Sequence, residues 1–195
     1  IKVTNFGTAT DLTIVATGQV SGGQNGIDAE GGGTGALSII TTDVTGSANT
    51  GILASNSSSS AGDIIVNSNG GSVTGGSSGI NVTNNGSAAT TITTADVTGT
   101  RANGIQARNG SAKGAAGTNL TINSSKGLVF GGENGIDARN YGSGNLDITV
   151  ADVTGGTTGI RSESSVGTTT ITLGSTAVVT GRVGAGIEAN SSGTN

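Results

Sequence analysis

Residues 138–160 read ARNYGSGNLDITVADVTGGTTGI, and three apolar anchors divide the stretch. Leu146-Asp147-Ile148 alternates apolar and polar, Val153-Thr154-Gly155 follows, and Gly159-Ile160 closes it. The same anchors recur along the whole chain. Gly-Ile stands at Gly26-Ile27, Gly51-Ile52, Gly79-Ile80, Gly104-Ile105, Gly135-Ile136, Gly159-Ile160 and Gly186-Ile187, spaced 24 to 31 residues apart. A valine with glycine two residues later stands at Val20, Val44, Val73, Val97, Val129, Val153 and Val179. The alternating run appears as Leu12-Thr13-Ile14, Leu37-Ser38-Ile39, Ile64-Ile65-Val66 and Leu120-Thr121-Ile122, with weaker versions ending at Ile92 and Ile171.

A fixed period of this size marks a solenoid, in which each unit buries its apolar face only against its neighbours. Side chains on a strand alternate between two faces, so anchors with apolar residues two apart read as half-buried strands. No segment carries a helical stripe. The sequence therefore predicts an all-β chain, a right-handed parallel β-helix of about seven coils of 24–31 residues, with three short strands per coil. At the usual strand separation seven such coils make a rod about 34 Å long. Thirty-eight glycines and no proline suit close-packed ladders that cannot lose an N–H.

Charge is sparse, at 10 per cent of residues and −4 overall. There is no cysteine, which excludes disulfides and thiolate chemistry, and no apolar stretch approaches the roughly 20 residues of a membrane helix. There is also no histidine, which excludes a Ser-His-Asp arrangement or a His-ligated metal. Carboxylates alone can cleave polysaccharides. Asp137, Asp147 and Asp152 are close in sequence but are expected on different strands, and only three aromatics are available to stack sugars. No catalytic residue, cofactor or metal is expected.

Function is expected on the outward columns. After each Gly-Ile the first outward residue is Asp28, Leu53, Asn81, Gln106, Asp137, Arg161 or Glu188, and two residues further on come Glu30, Ser55, Thr83, Arg108, Arg139, Glu163 and Asn190. Arg108 then stacks on Arg139, which costs energy unless an anion lies between them. Seven of the eight basic residues lie between 101 and 182. Arg101, Arg108, Lys113 and Arg139, with Arg161 at the margin, are read as a basic patch for a sulfated glycan or an acidic receptor surface. Phe130 and Tyr141 are the aromatic contacts beside it. Asp43, Asp96 and Asp152 recur two coils apart, a spacing that keeps carboxylates from stacking.

Once these anchors are set side by side, GIxA, NxGxG, LxI and DVTG resemble the passenger domains of monomeric (type V) autotransporters of Gram-negative bacteria. The resemblance covers the whole chain through its repeats. It implies a secreted or cell-surface segment of a longer passenger, residues 1–195 being one β-helix segment whose first residues begin in mid-coil. It also implies an adhesin or virulence factor whose partner is a host cell-surface protein or glycan, or another bacterial cell through self-association. The alternatives are a secreted ligand that activates a host receptor and, third, a polysaccharide-active β-helix enzyme. Neither a nucleic-acid partner nor membrane insertion of this segment is expected.

Overall fold

The computed structural model describes residues 1–7, 10–57, 62–111 and 117–192. Every strand pairing among them is parallel, and each joins a strand to its counterpart one coil away. No helix is present among the described residues. The molecule is a parallel β-helix of about seven coils with three faces, named here by their anchors.

The Gly-Ile face is one eight-stranded sheet, running from Lys2–Asn5 through Ile27–Gly31, Ile52–Asn56, Ile80–Asn84, Ile105–Asn109, Asn134–Asn140 and Thr158–Ser164 to Ile187–Ser191. The L-x-I and V-x-G faces form a twelve-stranded sheet. They merge because two strands, Leu120–Gly131 and Leu146–Gly155, run unbroken round the corner between them. Asp147 and Asp152 consequently share one strand rather than lying on different ones, while Asp137 stays on the Gly-Ile face.

Alternation puts the anchors inside. The isoleucines of the Gly-Ile pairs from Ile27 to Ile160 are fully buried, as are Leu120, Ile122, Val129 and Val153. The outward residue between them faces solvent, so each coil buries one side of every strand against the coils above and below. Burial of one such aliphatic side chain contributes about 1.5–3 kcal/mol, which offsets the ordering of a glycine-rich chain.

Inside the corner that ends each Gly-Ile strand, a polar column continues the apolar one. Asn56, Asn84, Asn109 and Asn140 stand in register on successive coils, each 2% exposed or less. Their amides replace the backbone partners that the turning chain gives up. Asn140 Nδ2 donates to the carbonyls of Thr118 (3.0 Å), Gly144 (2.8 Å) and Asn145 (3.0 Å), and its Oδ1 accepts from Gly142 N–H (3.1 Å). Asn84 and Asn109 bond their own corners in the same manner.

The aspartates of the DVTG motif do more than avoid one another. Asp43 accepts from Ser72 N–H (2.9 Å), Asp96 from Leu128 N–H (2.8 Å) and Asp152 from Val178 N–H (2.8 Å), in each case the next coil. Before the L-x-I strands Asp11, Asp63, Asn119 and Asn145 play the same part for Ala36, Ala89, Asn145 and Thr168. These carboxylates and amides are coil-to-coil fasteners.

Candidate functional site

Strand register fixes which charges meet. Arg108 pairs with Arg139 and Arg139 with Glu163, while Asp137 pairs with Arg161 and Arg161 with Glu188. Both outward columns of the Gly-Ile face thus align as the repeat implies. The stacked arginines are held apart by partners of different kinds.

Arg139 turns back along its own strand. Residues two apart share a face, and its guanidinium forks onto Asp137, Nε to Oδ1 at 3.0 Å and Nη2 to Oδ2 at 2.8 Å. The Asp137 side chain is 6% exposed and that of Arg139 34%. This hydrogen-bonded pairing, with the carboxylate's charge, outweighs desolvation and makes Arg139 bind its proton more firmly than an ordinary arginine.

Arg108 turns toward the corner. Its guanidinium lies 5.1 Å from the centroid of the Tyr141 ring, a cation–π distance, while Nε donates to the Gly110 carbonyl at 3.1 Å and Nη2 to that of Ser111. Tyr141 in turn donates its hydroxyl to Glu163 Oε2 at 3.3 Å. Asp137, Arg139, Arg108, Tyr141 and Glu163 thus make one surface network over three adjacent coils. It carries both signs of charge, where a purely basic patch was expected.

Other expected members lie elsewhere. Arg101 is exposed at the corner between the V-x-G and Gly-Ile faces, and its Nη2 donates to the Ala48 carbonyl two coils away at 2.5 Å. Phe130 points outward on the V-x-G face between Thr98 and Thr154. It is half-buried, and its cation is Arg182, 5.6 Å from the ring centroid, rather than Arg108 or Arg139. Lys113 falls outside the described residues.

Among the described residues no three acidic side chains converge to hold a metal ion. A hollow of about 520 Å³ opens on the last coil, lined by Val166, Thr168, Ile171, Ala189 and Asn190 with Asn145 of the coil before, among others, and it contains none of the charged network. The arrangement offers a flat face with fixed charges and one aromatic edge. That geometry suits contact with another surface.

Removing Asp137 should expose the cost of the arginine column. Asp137→Ala leaves Arg139 between Arg108 and Glu163 with no carboxylate on its own strand, and stability is expected to fall by about 1–2 kcal/mol. The loss should shrink in high salt, which screens the remaining repulsion. Urea midpoints at low and high ionic strength check both effects.

The fold and surface together define a parallel β-helix with a mixed-charge network on one face. No family model matches the chain, and no curated protein or solved structure is significantly similar to it.

Proposed function

We infer that the chain is part of an extracellular passenger of the autotransporter type, acting as an adhesin that binds host cells or neighbouring bacteria. Support comes from the repeat pattern GIxA, NxGxG, LxI, DVTG and from a rod whose interior is accounted for by packing and by the buried asparagine hydrogen bonds. The observation that carries the reading is the Arg108–Tyr141–Glu163 network beside Arg139–Asp137. It gathers charge and an aromatic on a face whose side chains are already ordered, so a partner would lose little rotamer freedom of this surface on docking.

Both signs of charge favour a protein or glycan surface of mixed polarity. Arg108 and Arg161 are the cations to test, because Arg139 is committed to Asp137. In a cell-binding assay with the purified chain, Arg108→Glu/Arg161→Glu should weaken attachment by roughly tenfold, equivalent to about 1.4 kcal/mol. A parallel heparin column separates glycan from protein partners. Unchanged cell attachment by a folded double variant would remove this face from the reading.

A further inference from the structure

The chain contains six Asn-Gly pairs: Asn25-Gly26, Asn69-Gly70, Asn85-Gly86, Asn103-Gly104, Asn109-Gly110 and Asn134-Gly135. In a flexible peptide such a pair is chemically labile, because glycine has no Cβ to shield its nitrogen from the neighbouring side-chain amide. The β-helix does not treat the six alike, and the difference can be followed atom by atom.

Five pairs are held. Gly26 N–H donates to Thr50 (3.1 Å), Gly104 N–H to Asn134 (3.0 Å) and Gly110 N–H to Asn84 (2.7 Å), all backbone carbonyls. Gly86 N–H is bound to Asn84 Oδ1 at 3.0 Å. Gly135 lies within the paired strand Asn134–Asn140, and Asn134 Nδ2 donates to Asn103 Oδ1 at 2.9 Å, which fixes the side chains of two pairs at once. Asn25 and Asn109 have their amides bonded as well.

Asn69-Gly70 lacks every one of these restraints. It sits in a turn between the L-x-I strand Ile64–Ser68 and the V-x-G strand Val73–Gly75. Gly70 is exposed and its N–H has no acceptor among the described residues. Asn69 is anchored through its own backbone N–H, which donates to Asn67 Oδ1 at 3.2 Å. Its side-chain Oδ1 is buried without any partner.

We propose that Asn69 is a site of spontaneous deamidation in the folded protein. The deprotonated Gly70 nitrogen attacks Asn69 Cγ, the new N–Cγ bond closes a succinimide, and the Cγ–Nδ2 bond breaks with loss of ammonia. One water then opens either carbonyl of the ring, giving aspartate or isoaspartate. No oxidant or enzyme is required. The product places a carboxylate two residues from Gly71, which packs on Asp43, and beside faces whose L-x-I and V-x-G outward positions carry Asp147 as their charge. The isoaspartate form also lengthens the backbone at the turn that presents Ser72 to Asp43.

The fold supplies a clean control. A Cβ at Gly70 would meet only Thr42 Cγ2 at 3.4 Å, and Gly70 has no positive φ, so Gly70→Ala should leave the structure intact. The intact folded chain is incubated at mildly alkaline pH and its products are mapped by fragmentation mass spectrometry. Deamidation is expected at Asn69 ahead of the other five sites, with both aspartate and isoaspartate present. Gly70→Ala should slow it by roughly tenfold or more, since the methyl shields the nitrogen and narrows the backbone. Asn69→Gln should remove the early product, and in denaturant the six pairs should react at comparable rates. If another Asn-Gly pair reacts as fast as Asn69 in the folded chain, or if Gly70→Ala leaves the rate unchanged, the proposal fails.

Discussion

Gly51→Ala is expected to cost roughly 3 kcal/mol, in the range of core overpacking. The new Cβ would lie 2.6 Å from Val73 Cγ1, 2.7 Å from the Gly79 carbonyl oxygen and 2.9 Å from that of Thr74. Two of the three neighbours are backbone atoms of the next coil, so rotating Val73 cannot relieve the strain. Backbone conformation plays no part, because positive φ occurs only at Gly7 and Gly110 among the described residues. The glycine is needed for space: the valine of one coil occupies the volume where the Gly-Ile glycine of the preceding coil would carry a side chain. Gly104 and Gly159 meet Val129 and Val179 in the same way, each at 2.7 Å. Gly23→Ala, whose Cβ would meet nothing within 4 Å, should stay within about 0.5 kcal/mol of the parent. Urea unfolding of the two variants side by side checks the contrast.

This coupling explains why the sequence was readable. Gly-Ile and V-x-G recur together because each fills the space left by the other, and a period built on interlocked residues survives in a chain otherwise rich in Gly, Ser and Thr. Side-chain alternation then placed Ile27, Ala29, Val44 and their counterparts inward, and on the coils between the two ends they are buried. The alignment of Lys2-Val3 with Asp28-Ala29 followed from the same parity. The strands that continue round the corner were not legible, since Ser124 to Leu128 reads as a turn and is a register shift within one strand.

The charged face was only half legible. Register alone stacks Arg108 on Arg139, but reading charge across strands overlooked the pair along one strand, Asp137 and Arg139 in Ile-Asp-Ala-Arg. Both residues point outward by alternation, two positions apart, so the signal was present in the sequence. Phe130 is different. Its arginine comes from Arg182, two residues beyond Thr180, whose strand lies two coils past Phe130. The reach of a long side chain over an intervening threonine has no periodic signature.

The asparagine column is the largest feature hidden from composition, and it sets the second large effect. Asn56, Asn84, Asn109 and Asn140 each stand four residues after a Gly-Ile isoleucine, the same parity as the buried Ile and Ala, yet polar residues near a turn look like surface loop. Asn140→Leu keeps the branched shape but leaves the Gly144 carbonyl without its donor and Gly142 N–H without its acceptor, while the Thr118 and Asn145 carbonyls keep only their bonds from Asn109 Nδ2 and Leu120 N–H. Each unsatisfied buried group costs about 1–3 kcal/mol, so a loss on the order of 4 kcal/mol is expected even after relaxation. Asn140→Asp should be more revealing. Its carboxylate would face three carbonyl oxygens in a site with no exposure, and both desolvation and the missing donors favour the protonated form. The folded pKa therefore rises above the unfolded value of about 3.9. A proton bound more tightly by the folded chain stabilises it at low pH, and that contribution is lost as pH climbs from the unfolded pKa through the folded one. The Asn140→Asp variant should accordingly unfold at lower urea at pH 8 than at pH 4, relative to the parent at each pH, whereas Asn123→Asp, at an exposed position, should follow the parent. Equal losses for Asn140→Asp at the two pH values would mean that the column is wet, and that water rather than the asparagine amide holds these corners together.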